Sequence, residues 1–202
     1  ENPDFVTFLV GPHRMSFVVP FKAIKNRAYF VGPHLNFVIQ KGNGYYFDRP
    51  ILSRIHPEDF HMVADFLLTD DFGRRVIENE DQRRELIDEC LSAWAVAEEL
   101  GMLDLMEHIA NKLRRSLPWP LEEALSVAGL VHKRKDSFDP IQNRLKDLLA
   151  GYIADNFWEY IGNHLTSLVQ KFKQCPELEQ RVLEHRVEKL EIKHSHLRAL
   201  CD

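Results

Sequence analysis

The sequence predicts an α+β fold: a small β-sheet flanked by helical hairpins, followed by an all-helical extension. Three observations lead there. Short Val- and Phe-rich runs come first and are separated by Gly and Pro turn signals. From His56 onward, apolar residues recur at three- and four-residue spacing, the period of a helix buried on one side. The Pro118-Trp119-Pro120 segment then interrupts the helical pattern, dividing a first unit at residues 5–117 from a helical extension at residues 118–202.

Phe5 to Val10 and Met15 to Val19 flank Gly11-Pro12-His13-Arg14 and read as a β-hairpin. Phe21 to Phe30 mixes Ala23, Ile24 and Ala28 with Lys and Arg at helical spacing, and Gly32-Pro33 stops it. After a turn at Lys41-Gly42-Asn43-Gly44, Tyr45-Tyr46-Phe47 and Ile51 to Ile55 are expected to add strands. Pro57 fits the first turn of a helix whose apolar face is Phe60, Val63, Ala64, Leu67 and Leu68. Gly73 to Arg84, dense in charge of mixed sign, reads as a solvated loop or frayed helix.

Leu86, Cys90, Trp94 and Ala97 form the stripe of a longer helix, with Gly101 placed to end it. Leu105 or Met106, Ile109 and Leu113 stripe the next. Beyond the proline segment, Leu121 to Leu130 is a short helix and His132 to Asp136 a charged connector. Asp139-Pro140 gives an N-cap followed by a first-turn proline. Ile141, Leu145, Leu148 and Tyr152 stripe the helix that follows, and Leu165, Leu168 and Phe172 the one after. Cys175-Pro176 precedes a final helix. The chain starts without an initiator Met and ends in a helix, so it reads as part of something longer.

Composition narrows the function classes. With 202 residues, 45% of them apolar, the chain can bury a sizeable core. A net charge of −5 and a pI near 6.1 argue against direct nucleic-acid binding, which leans on clustered Lys and Arg. Cys90, Cys175 and Cys201 are odd in number and far apart, which fits reduced thiols in the cytoplasm or nucleus rather than a disulfide framework. No uninterrupted apolar run approaches the roughly 20 residues that span a bilayer. No membrane association is expected.

Several segments resemble the BTB/POZ family, especially its divergent fungal members. Phe5 to Gly11 is similar to the family's opening strand and turn, and Phe17-Val18-Val19 with the helix ending in Tyr29-Phe30 to its second strand and first core helix. Ile55-His56-Pro57-Glu58-Asp59-Phe60 leading to Phe66-Leu67-Leu68-Thr69-Asp70 resembles the family's "D-P-x-x-F…(F/Y)-L-Y-T-G" segment. Ala93 to Met102 resembles its "L-x-x-A-x-x-L-x-M" helix. Together these cover about residues 5 to 115, and Phe172 through Val182-Leu183 resembles the helical extension of fungal members. Pro20-Phe21 and Arg27-Ala28 stand where the family usually carries a His-Lys pair and a Ser, so a charged pocket there is not expected.

The resemblance implies a non-enzymatic protein-protein interaction module, a scaffold or adaptor in an intracellular complex of the cytoplasm or nucleus. The alternative it carries is a substrate-recruiting adaptor of a cullin-type ubiquitin ligase. Family members that bind cullins often carry an apolar-x-Glu element. Leu35 to Lys41, with Phe37 as its candidate contact, has the apolar residues without the Glu, so cullin binding is not favoured. The family's swapped homodimer uses a helix before the first strand, for which a strand starting at about Phe5 leaves no room.

The remaining constellations favour binding over chemistry. His194-Ser195-His196 with Cys201 is the closest cluster to a metal site, but residues two apart point to different sides of a helix, so no metal is expected. There is no nucleophile elbow and no Gly-rich phosphate loop, so neither a catalytic residue nor a cofactor is assigned. Leu183, Val187, Leu190, His194, Leu197 and Cys201 alternate in steps of four and three, an a/d seam. Being short and interrupted by a His, the seam is expected to pack on the preceding helices, with burial against a partner protein or a second copy as the alternative. Trp94, Trp119 and Trp158 are expected in cores or at the boundary; Trp158 would anchor a partner if exposed.

Overall fold

Val6, Phe8 and Val10 alternate with Phe5, Thr7 and Leu9 along the first strand, β1 (Phe5–Val10), and only the first set is fully buried. β1 pairs antiparallel with β2 (Met15–Pro20), from Phe5 opposite Pro20 to Val10 opposite Met15. The connecting turn needs Gly11 on two counts. Its φ of +76° suits glycine, and a Cβ there would sit 2.9 Å from Cγ of Pro57. β3 (Val38–Lys41) and β4 (Gly44–Phe47) form a second hairpin about Gly42-Asn43. β4 lies parallel to β1, giving the strand order β2-β1-β4-β3.

The computed structural model describes residues 4–25, 27, 30, 38–73, 76–132 and 140–199, with side chains to Glu191. It is an α+β fold: among the described residues, one four-stranded mixed sheet and a majority of helix. The chain divides into two compact units, Glu1–Arg115 and Ser116–Asp202.

In the first unit, the inward face of the sheet meets an aromatic cluster. The Phe8 ring lies 5.0 Å from Phe47 and 5.6 Å from both Phe30 and Phe60, distances at which edge and tilted contacts add to burial. Helix α1 (Phe21–Ile24) is shorter than the expected Phe21–Phe30. Past it, Arg27 and Phe30 donate their backbone N–H groups to carbonyls three residues back, a tighter turn than the α-helix. Ile51 to Ile55 is not a strand: Pro50–Arg54 is a 3-10 helix. Pro50 has no N–H for a ladder, and the buried residues Leu52 and Ile55 are three apart rather than two. Val38–Lys41 is instead the strand that the sequence reading left among loop residues.

Helix α2 (Pro57–Thr69) starts on Pro57 and buries Phe60, Val63, Ala64, Phe66 and Leu67. Leu68 is exposed and Phe66 takes its expected place, because Arg27 and His108 cover the Phe66 ring. Helix α3 (Glu80–Leu100) begins inside the stretch read as a solvated loop or frayed helix, and Glu80 to Arg84 are helical. Asn79 Oδ1 accepts from the Gln82 backbone N–H at 2.9 Å while Gln82 Oε1 accepts from that of Glu78 at 2.8 Å, so both orphan donors are met. At its end Gly101 turns left-handed and Met102 N–H reaches back to the Ala97 carbonyl, as the sequence anticipates. Helix α4 (Leu103–Arg115) buries Leu105, Met106, Ile109 and Leu113.

The second unit holds α5 (Leu121–Val131), α6 (Pro140–Asp155), α7 (Phe157–Asn163), α8 (Leu165–Gln174) and α9 (Pro176–Ala199). α6 packs on both α5 and α9 and so buries a broad face: Ile141, Leu145, Leu149, Ala150, Ile153 and Ala154. Leu148 and Tyr152, expected in its central stripe, lie half-buried at the margin. Tyr152 and Tyr160 donate their hydroxyls to the carbonyls of Trp119 and Leu121, and Trp119 Nε1 donates to Ser116 Oγ at 2.9 Å. Trp119 and Tyr160 are thereby buried, and Tyr152 half-buried, without an orphan donor.

Candidate interaction surface

α9 presents one face to α6, and polar pairs fix which face it is. Lys146, buried, donates to Glu177 Oε2 at 2.8 Å, and Arg181 reaches both Glu177 and Asn143. One turn on, His185 meets Asp147 at 3.1 Å; near the end of α6, Lys189 pairs with Asp155. Between these pairs Leu178 and Val182 are fully buried. Burial would raise the Glu177 carboxyl, but the hydrogen bond and charge of Lys146, with His132 and Arg181, outweigh it and hold it below its ordinary value.

This rotation turns Leu183, Val187 and Leu190 outward, at 48%, 53% and 50% exposure. The expectation that the seam packs on the preceding helices is therefore corrected. Side chains at positions 178 and 182 occupy that contact, and on a 100° per residue wheel they lie on the side of the helix away from the seam. Leu197, the fifth predicted seam residue, has its side chain outside the described residues, as do His194 and Cys201; Phe37 also lies outside them.

Trp158 is likewise not in the core, being 69% exposed. Arg186 of α9 lies over it, 5.5 Å from the ring centroid, and 5.4 Å from the Phe157 ring, which itself meets the indole edge-on at 5.8 Å, and most of the indole stays exposed. Ile161, Leu165 and Val169 continue outward along α7 and α8. The sequence reading placed Leu165 in a buried stripe with Leu168 and Phe172; only Leu168 is fully buried. The missed signal is the three- and four-residue spacing of 158, 161, 165 and 169, which competes with the stripe that was chosen.

The groups with the largest pKa shifts, Cys90 and Tyr160, are enclosed. Burial pushes the Cys90 thiol up to about 12, which keeps it protonated and inert. Burial also pushes the Tyr160 phenol up. Burial would raise the Asp71 carboxyl, but Lys112, with the Phe72 N–H and His108, more than offsets it and holds it below its ordinary value. Lys112 and His108 lie 3.1 and 3.0 Å from Asp71 Oδ1. Among the described residues no group of three His, Cys, Asp or Glu is arranged to hold a metal ion, and no helix is long and apolar enough to cross a membrane. Comparison with family models, curated proteins and solved structures found no match for the chain.

Proposed function

We propose that this chain is a non-enzymatic interaction module, a scaffold or adaptor within an intracellular complex, whose first unit is a BTB/POZ-type domain. The observation that carries the reading is the outward stripe of Leu183, Val187 and Leu190 on a helix whose opposite face is fully engaged. A line of half-exposed aliphatic side chains at knob spacing is the kind of surface that another protein covers. The order hairpin, short helix, further strands and helical hairpin supports the BTB/POZ reading of the first unit. The enclosure of Cys90 and Tyr160 supports binding over catalysis, since reactive groups serve chemistry when they face a cleft.

The test is a photo-crosslinking amino acid placed at position 187 of the full chain, irradiated in extract of the source cell. A discrete protein adduct is expected, lost when Leu183→Asp is added. No protein adduct at 187 would overturn the docking role of α9. Retention of the chain on a cullin N-terminal domain would replace the scaffold reading with that of a ubiquitin-ligase adaptor.

A further inference from the structure

We infer that the outward groove of α9 docks an amphipathic helix of another protein whose apolar ridge is flanked by Lys and Arg. The inference rests on the reading of α9 as a docking helix and concerns what fits there. Leu183 and Val187 line an open groove, and the charged side chains around it are of one sign: Asp147, Glu179, Glu184, Glu188 and Glu191. Among the described residues no Lys or Arg lines it; His185, the one further titratable group among them, is held by Asp147.

The segregation comes from how α9 packs. Its described cations, Arg181, Arg186 and Lys189, are turned toward α6 and α7: Arg181 onto Glu177 and Asn143, Arg186 onto the Ala154 carbonyl and two aromatic rings, Lys189 onto Asp155. The carboxylates of Glu179, Glu188 and Glu191 form no ion pair among the described residues. Over its described side chains α9 thus shows water an apolar line with an acidic border.

The border selects the occupant. A second copy docking by the same face would set five carboxylates against five, a like-charge contact that opposes association. Polyanions are repelled for the same reason. A partner with Lys or Arg beside its apolar residues gains Coulomb attraction and a faster encounter. The ridge selects helix over strand. Leu183, Val187 and Leu190 are separated by four and three residues, rising about 4.5–6 Å per step, and they interdigitate with a partner of the same period. A helix face also offers no free backbone groups to which a strand could add.

The experiment measures binding of three synthetic peptides of about 20 residues to the full chain by fluorescence anisotropy. One is an amphipathic helix with a Leu ridge bordered by Lys and Arg, one has Glu in place of those cations, and one is a scramble of the basic peptide without the ridge. The basic amphipathic peptide is expected to bind at least about tenfold tighter than either control, and less tightly as salt is raised. Val187→Asp should abolish the preference over the scramble. Combined Glu184→Lys, Glu188→Lys and Glu191→Lys should shift preference to the acidic peptide, with helicity by circular dichroism and the melting temperature unchanged. Equal binding of the basic and acidic peptides, or of the basic peptide and its scramble, would overturn the inference; so would a dimer of the native chain that Val187→Asp dissociates. If any of these occurs while position 187 still crosslinks to a different protein, the inferred occupant falls and the docking role of α9 stands.

Discussion

His132 shows how a single buried side chain sets a pH dependence. Its Nδ1 lies 2.8 Å from the Ala128 carbonyl, four residues back, and donates to it, while Nε2 is buried with no partner. Burial is the leading cause that moves its pKa below the ordinary 6.5. Above that pH, folded and unfolded chains are both neutral at this ring. As pH falls below it, the unfolded ring takes a proton that the folded one resists, so stability declines until the folded pKa is reached. Urea unfolding followed from about pH 7 to about pH 5 should show this loss, and His132→Gln should flatten it. Glu177 and Asp71 act in a more acid window. Their folded pKa values lie below the ordinary 4.5 and 3.8, so what they contribute is present above those values and is lost as pH falls through the folded pKa. Lys146 separates charge from packing at a buried site. Lys146→Ala removes both its stem and its bond to Glu177 and should cost about 2–3 kcal/mol in urea unfolding, whereas Lys146→Met keeps the stem and should stay within about 1 kcal/mol.

At the scale of elements, local chemistry places most helix ends and tertiary contact decides which face turns inward. Asn79→Ala removes the acceptor for the Gln82 N–H and should cost about 1 kcal/mol, with helicity fraying from the start of α3. Gly11→Ala meets both a left-handed φ and the Pro57 ring, so its penalty should exceed the roughly 1 kcal/mol of a left-handed alanine alone. The outward stripe behaves oppositely. Val187→Asp changes a half-exposed residue and should leave the melting temperature within about 0.5 kcal/mol of unchanged stability while removing peptide binding. Val182→Asp, one turn away but fully buried against α6, should unfold the extension. That pair distinguishes the docking face of α9 from its packing face.

Across the whole molecule, the acidic border of α9 argues for a chain that does not self-associate through this face. Light scattering across a concentration series should give a constant mass near the chain's 23.7 kDa, and a dimer dispersed by Val187→Asp would contradict it. The sequence by itself determined the α+β class, the hairpin about Gly11, the stripe of α3 with its Gly101 stop, and the start of α9 after Cys175. Those rest on period and turn chemistry, which are local. It also contained the seam of Leu183, Val187 and Leu190 as a pattern. Only the tertiary structure decided that the seam faces outward, that Trp158 is open, and that Pro50–Arg54 coils rather than extends. The physical reason is competition among faces. α9 has two apolar lines, and pairing of Lys146, Asp147 and Asp155 with Glu177, His185 and Lys189 selects the one carrying Leu178 and Val182. That choice depends on residues about thirty to forty positions apart, and no helical period along a single segment encodes it.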